Sequence, residues 1–153
     1  MNELIVLKLN RLLAAFIDGL ALFILFFAAF TYPLIEMILM IKQGIFSGQI
    51  ISLAILSAVV GLFLGVLYLF ITSAIFKGAT LGMKIMHLTF VKTDGSIPKK
   101  VSLFNRAVSI VLCNVLTLGF SIIIDVVCLL LNDMGKNFHD IYSNMKVEGD
   151  YVY

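Results

Sequence analysis

The chain has 153 residues, of which 61% are hydrophobic and only 13% are charged, and its mean hydropathy is +1.10. Soluble domains are about half apolar and one quarter charged, so this composition argues against a water-soluble enzyme, a disordered chain and a disulfide scaffold. The net charge of +2 provides no basic field for nucleic acid. We expect an integral membrane protein with one domain over residues 1–153.

Three apolar segments are predicted to be membrane helices, at about residues 12–35, 48–76 and 103–131. A bilayer core of about 30 Å requires about 20 apolar residues in a helix. Helices are favoured in lipid because they satisfy their own backbone hydrogen bonds. The predicted fold is an all-α, polytopic membrane helical bundle with two long spans and then a C-terminal helix or shallow helical hairpin, giving three or four membrane segments.

The first segment carries one charge, Asp18, and Pro33 is interpreted as a stop signal near its end. A charge at the centre of a membrane helix costs about 3 kcal/mol. Arg11 lies two helical turns before Asp18, close to the same face. Asp18 is therefore either a protonatable or ion-binding carboxylate whose charge Arg11 tunes, or a structural partner for a buried donor or basic residue.

The second segment contains no charged residue, and small residues recur in it every four positions, at Ser57, Gly61 and Gly65. Small residues at this spacing let two helices approach closely. The stripe packs either against helices of the same subunit or against a second copy of the chain.

The loop between the second and third segments, residues 77–106, is here called the joint. It is basic, with six Lys and Arg residues against one acid, Asp94. Basic loops stay in the cytoplasm, so the joint is placed inside. Two membrane spans separate it from the N-terminus, which is therefore placed inside as well. We expect the joint to lie on the membrane surface, with a short helix over residues 80–87 that presents Leu81, Ile85 and Leu88, and an extended stretch over residues 89–91. Its candidate lipid head-group ligands are Lys84, Lys92, Lys99 and Lys100.

The third segment carries Asp125 and has two interpretations, a single span or a hairpin broken near residues 117–119. In a hairpin the depths of Arg106 and Asp125 differ by about 8 Å at 1.5 Å per residue, so these residues could pair. A single straight helix forbids that pair and places the C-terminus outside.

The tail contains His139 and Asp140, which could form a general base and its orienting acid. No nucleophile accompanies them, so capping at the membrane interface is the simpler interpretation. We expect no enzyme activity, no metal site and no cofactor, because the sequence has no phosphate-binding glycine loop and no spaced metal ligands.

Four short stretches recur as a set in known membrane proteins: Asn10-Arg11 through Asp18, Gly78-Ala-Thr-Leu-Gly82-Met-Lys84, Phe104-Asn-Arg106-Ala and Phe138-His139-Asp140. In these stretches the sequence resembles the RDD family of small membrane proteins, which is named for one arginine and two aspartates.

The resemblance implies that Arg11 and Asp18 are the first Arg and Asp of the signature and that Asp140 is the second Asp. If Asp140 acts alongside Arg11, both lie on one side, which favours the hairpin and a cytoplasmic C-terminus. The function of the family is largely undefined, although transport has been suggested and some members are linked to cation/proton antiport.

Two functions from different classes follow. The first is exchange of monovalent cations and protons across the cell membrane by a homo-oligomer. Its site would be a network of buried charges that binds the proton or the ion, formed by Arg11, Asp18, Arg106, Asp125, His139 and Asp140. The alternative is an accessory or scaffold protein that binds a partner membrane protein or anionic lipid, through the lysines of the joint.

Overall fold

The computed structural model describes residues 3–44, 48–117, 119–132 and 135–149. Within these ranges the chain forms α1 (Glu3–Lys42), α2 (Gly48–Ile75), α3 (Leu81–Ile85), β1 (Leu88–Lys92), α4 (Lys100–Leu116), α5 (Phe120–Leu131), α6 (Phe138–Tyr142) and β2 (Met145–Gly149). The prediction of an all-α helical bundle is confirmed, and a two-stranded sheet is added to it. Leu118, at the predicted turn of the third segment, lies outside the described residues.

The helices α1 and α2 are long and apolar enough to cross a membrane. In the most apolar window of each, only 6% and 17% of the residues are buried inside the molecule. A core helix of a soluble protein would be mostly buried, so the apolar surface of these helices is suited to lipid. This pattern, with the third apolar stretch in α4 and α5, supports an integral membrane protein.

The predicted end of the first helix at Pro33 is wrong, because α1 continues through Pro33 to Lys42. At 1.5 Å per residue its 40 residues span about 60 Å, roughly twice the thickness of a bilayer core. Proline removes the backbone donor that would bond the carbonyl oxygen of Ala29, a loss that membrane helices tolerate.

The small residues of α2 face other helices of the same chain. A methyl group added at Gly61 would lie 2.9 Å from the ring of Phe30 on α1, and one added at Gly65 would lie 3.4 Å from Val111 on α4. Ser57 is half-buried on the same helix. The structure thus places two of the three stripe residues in contacts within one subunit.

The third apolar segment is broken in two, and the chain reverses at the break. Gly119 adopts φ +89°, a left-handed conformation that glycine accepts without steric cost. The hydroxyl of Ser121 on α5 donates to Asn114 Oδ1 on α4 across the turn, at 2.7 Å. The 12 residues of α5 span about 18 Å, so this hairpin is too short to cross a 30 Å core.

The basic joint contributes part of the hydrophobic core of the molecule. The strand β1 pairs antiparallel with β2, with Leu88 opposite Gly149 and Lys92 opposite Met145. Leu88 and Met145 are fully buried, and Phe90 and Val147 are nearly so. The predicted extended stretch is therefore confirmed, but Leu88 belongs to the strand rather than to the preceding helix.

The short helix α3 packs directly against the backbone of α1. A methyl group added at Gly82 would lie 2.1 Å from the carbonyl oxygen of Ala14, so only glycine permits this approach. Together α3, β1, α6 and β2 form a cap that gathers the start of α1, the joint and the tail at one end of the bundle.

Candidate functional site

The carboxylate of Asp140 is the centre of a buried ion-pair cluster. Its Oδ1 accepts from Arg106 Nε at 3.2 Å and Nη2 at 3.0 Å, and its Oδ2 accepts from Arg11 Nη2. The backbone N–H of Asn137, at the start of α6, also donates to Oδ2, at 3.4 Å. Burial raises the pKa of Asp140, but the charges of Arg106 and Arg11 outweigh that effect and hold it below its usual value.

Both arginines are fixed by further contacts. Arg11 Nη1 donates to the carbonyl oxygen of Gly135, and the guanidinium carbon of Arg106 lies 3.9 Å from the ring centroid of Phe90, a cation–π geometry. Each arginine is only 8% exposed. Basic residues near the ends of membrane helices are commonly interfacial anchors, but both of these guanidiniums lie inside the protein.

The expected coupling between Arg11 and Asp18 is replaced by a different set of partners. Asp18 Oδ1 accepts from the Tyr68 hydroxyl and from the backbone N–H of Gly82, both at 2.9 Å, and Oδ2 accepts from the Thr80 hydroxyl. Three donors match the acceptor capacity of an ionised carboxylate. Asp18 thus connects α1 to α2 and to the start of α3, which is the arrangement expected for a structural partner.

The hairpin brings Asp125 beside His139 rather than beside Arg106. Asp125 Oδ2 lies 3.3 Å from His139 Nε2, within ion-pair distance, whereas Arg106 pairs with Asp140. The predicted Arg106–Asp125 pair is therefore wrong, although the hairpin that it required is present. His139 is 1% exposed, and its Nδ1 lies 3.3 Å from Ser109 Oγ.

A cleft of about 270 Å³ opens between α1 and α5, with α3 and α4 at its base. Its walls are mostly apolar, including Leu22 on α1 and Leu129 on α5. Its polar lining residues are Arg11, Asp18, Thr80, Arg106, Asn114, Asp125 and Asn137. The charged residues that the sequence singles out thus meet at one cleft.

The four charged residues that line the cleft balance one another, with Asp18 and Asp125 against Arg11 and Arg106. Asp140, which is buried beside the two arginines and does not line the cleft, adds a third carboxylate. With a neutral imidazole and three ionised carboxylates, these groups together have one surplus negative charge. A buried charge is costly unless it is paired, and one further positive charge, either a proton or a cation, would balance it.

Within the described part of the chain, no group of three or more His, Cys, Asp and Glu side chains is arranged to hold a metal ion. The four candidate head-group lysines lie outside the cluster. Lys84, Lys99 and Lys100 are exposed, and Lys92 is half-buried on β1.

Sequence reasoning did not single out four side chains or backbone groups of the site: Tyr68, Thr80, Ser109 and Gly135. Thr80 lies in the Gly78–Lys84 motif, and Tyr68 is one of the few polar residues of a charge-free helix. Both could therefore have been identified from the sequence as candidate site residues. Ser109 and the carbonyl group of Gly135 carried none, because their roles depend on contacts made across the fold.

The sequence was also compared with known proteins. The model of the RDD family matches residues 8–144, a range that includes every member of the buried cluster. No curated protein and no solved structure matches the chain significantly.

Proposed function

The chain belongs to the RDD family, and from this premise we propose that it is a multi-pass protein of the cell membrane that exchanges protons for monovalent cations. The observation that carries this proposal is the surplus negative charge of the cluster. One proton or one monovalent cation neutralises it, but both together would leave a surplus positive charge. The two ions therefore compete for one unit of charge, which is the condition for one-for-one exchange.

The shape of the cleft supports the same function. It extends along α1 from Arg11 to Leu22, about 16 Å at 1.5 Å per residue, or roughly half of a bilayer core. An ion that enters from the cap side thus reaches the middle of the membrane. Among the described helices only α1 and α2 are long enough to cross the whole membrane, and a second copy of the chain in a homo-oligomer would complete the pathway.

The proposed topology places the cap in the cytoplasm. The joint is rich in lysine, and basic segments stay inside. Since β2 pairs with β1 and Asp140 pairs with Arg11, the tail and the start of α1 lie on the same side as the joint.

Cysteine labelling checks this topology in intact cells. Single cysteines are introduced by Gln43→Cys, Lys99→Cys and Glu148→Cys, with Cys113 and Cys128 replaced by alanine. We expect an impermeant maleimide to label only the position at 43, which follows α1, and to label the other two after the cells are opened. Labelling at 148 but not at 99 in intact cells would contradict the hairpin topology.

Exchange is tested with purified protein in sealed liposomes that contain a pH-sensitive dye. Addition of sodium, potassium or lithium is expected to move protons with the wild-type protein, and Asp125→Asn is expected to reduce the rate to that of protein-free liposomes. Glu148→Gln, which removes an exposed carboxylate on β2, is the matched control and should retain exchange.

Correct folding of each preparation is verified by circular dichroism and size-exclusion chromatography. Absence of exchange with correctly folded wild-type protein would contradict the proposed function. The accessory interpretation would then be favoured, with the exposed lysines of the joint as the contact for anionic lipid.

A further inference from the structure

The imidazole of His139 is held in one tautomer by α4. Ser109 Oγ lies 2.9 Å from the carbonyl oxygen of Arg106 and 3.3 Å from His139 Nδ1. The shorter of the two contacts is the bond that the Ser109 hydroxyl donates to the Arg106 carbonyl oxygen, which can only accept. The contact with Nδ1 is then a hydrogen bond only if Nδ1 carries a hydrogen and donates it to Ser109.

A second hydrogen would complete the contact on the other side of the ring. With Nδ1 protonated, a neutral imidazole presents a lone pair at Nε2, and Nε2 lies 3.3 Å from the carboxylate oxygen of Asp125. Nε2 and the second oxygen of Asp125 are both buried and have no hydrogen-bond partner among the described residues. One additional proton on Nε2 or on Asp125 would convert this contact between two acceptors into a hydrogen bond.

The other charged groups around His139 have fixed partners. Arg11 from α1 and Arg106 from α4 both bind Asp140, which is the neighbour of His139 on α6. Lys146 and Glu148 of β2 pair with each other, and Asp18 is satisfied by three donors. Among these groups the His139–Asp125 pair is the one that can gain or lose a proton without breaking a contact to a third residue.

We propose that His139 and Asp125 together form the proton-binding site of the protein and share one proton. The role of this pair in ion exchange rests on the proposed function, whereas the shared proton itself does not. With the proton bound, the cluster is neutral, and when the proton leaves to water the cluster has one negative charge. A monovalent cation that enters the cleft restores neutrality, and its departure accompanies the return of the proton.

Nitrogen-15 NMR of the imidazoles tests the pair directly, on the full-length protein in nanodiscs. The chain has two histidines, so a His87→Gln variant assigns both, and His87, which is exposed, is the internal reference. We expect the Nδ1 of His139 to stay protonated throughout a pH titration while Nε2 gains and loses its proton. In Asp125→Asn, Nε2 should be unprotonated at pH values where the wild-type Nε2 is protonated.

Ser109→Ala provides a second variant that leaves the charges unchanged. Its expected effect is loss of the Nδ1–H preference, seen as a mixture of tautomers once the ring is neutral. A wild-type His139 that carries its hydrogen on Nε2 alone, or an Nε2 whose protonation is unchanged in Asp125→Asn, would overturn the proposal.

The NMR experiment and the liposome experiment test separate claims. A shared proton in protein that shows no exchange would support the proton-binding site and contradict the proposed function. Exchange that depends on Asp125 without any change at His139 would retain the function and remove the pair as its proton carrier.

Discussion

An Asp140→Asn variant is expected to lose about 3–5 kcal/mol of unfolding free energy, because removal of one partner from a buried ion pair leaves an uncompensated charge. Here one carboxylate serves two guanidiniums, and Asp140 is fully buried. Natural proteins are stable by only about 5–15 kcal/mol. We therefore expect a variant that folds poorly at 37 °C rather than one with a specific loss of activity.

The measurement uses the two cysteines of the hairpin, since the chain has no tryptophan. Cys113 and Cys128 are half-buried on α4 and α5, and a thiol-reactive fluorogenic dye reports their exposure as the temperature rises. Asp140→Asn should react at a markedly lower temperature than wild type. Glu148→Gln is the control, because its exposed ion pair with Lys146 is worth less than about 1 kcal/mol.

A double variant identifies the physical cause. Arg11→Met in the Asp140→Asn background removes one of the two unpaired charges, so it should recover part of the lost stability, although Arg11→Met alone is destabilising. Such non-additivity is expected only for residues that interact. Additive losses, or a transition temperature of Asp140→Asn equal to that of wild type, would contradict the ion-pair cluster.

The sequence predicted the parts of this cluster better than their connections. Charges inside apolar helices are costly, so Asp18 and Asp125 were identifiable from their surroundings alone. Their partners were not, because Arg11 and Asp140 are 129 residues apart and only the folding of the hairpin brings them together. Spacing along one helix instead favoured a pairing of Arg11 with Asp18, which the contacts with Tyr68 and Thr80 replace.

The same distinction applies to the fold. Hydropathy located the apolar segments, which are a local property of the sequence, but it left the third segment open between a single span and a hairpin broken near Gly119. It did not predict the cap, because the burial of Leu88 depends on β1 pairing with a strand near the end of the chain. The continuation of α1 through Pro33 was also missed, since the rule that proline ends a helix is weaker in membrane helices.

Replacement of Asp18 by alanine is expected to weaken the attachment of α3 to α1 and so to lower the free energy of unfolding. The change removes the acceptor of three donors, of which the Thr80 hydroxyl and the Gly82 N–H are buried. Each buried donor left without a partner costs about 1–3 kcal/mol. The half-buried Tyr68 hydroxyl can turn toward other partners, so Tyr68→Phe should cost less than Asp18→Ala and is the matched control for this site.

Asp18→Asn changes both the contacts and the charge of this site. The amide keeps one acceptor oxygen but directs an N–H₂ group at a donor, so its stability should fall between those of Tyr68→Phe and Asp18→Ala. The same change removes one of the three negative charges counted in the cluster, so the fraction of Asp18→Asn protein that folds in liposomes should lose exchange even though Asp18 carries no proton. Exchange with the pH profile of wild type in folded Asp18→Asn protein would contradict the charge count on which the proposed function rests.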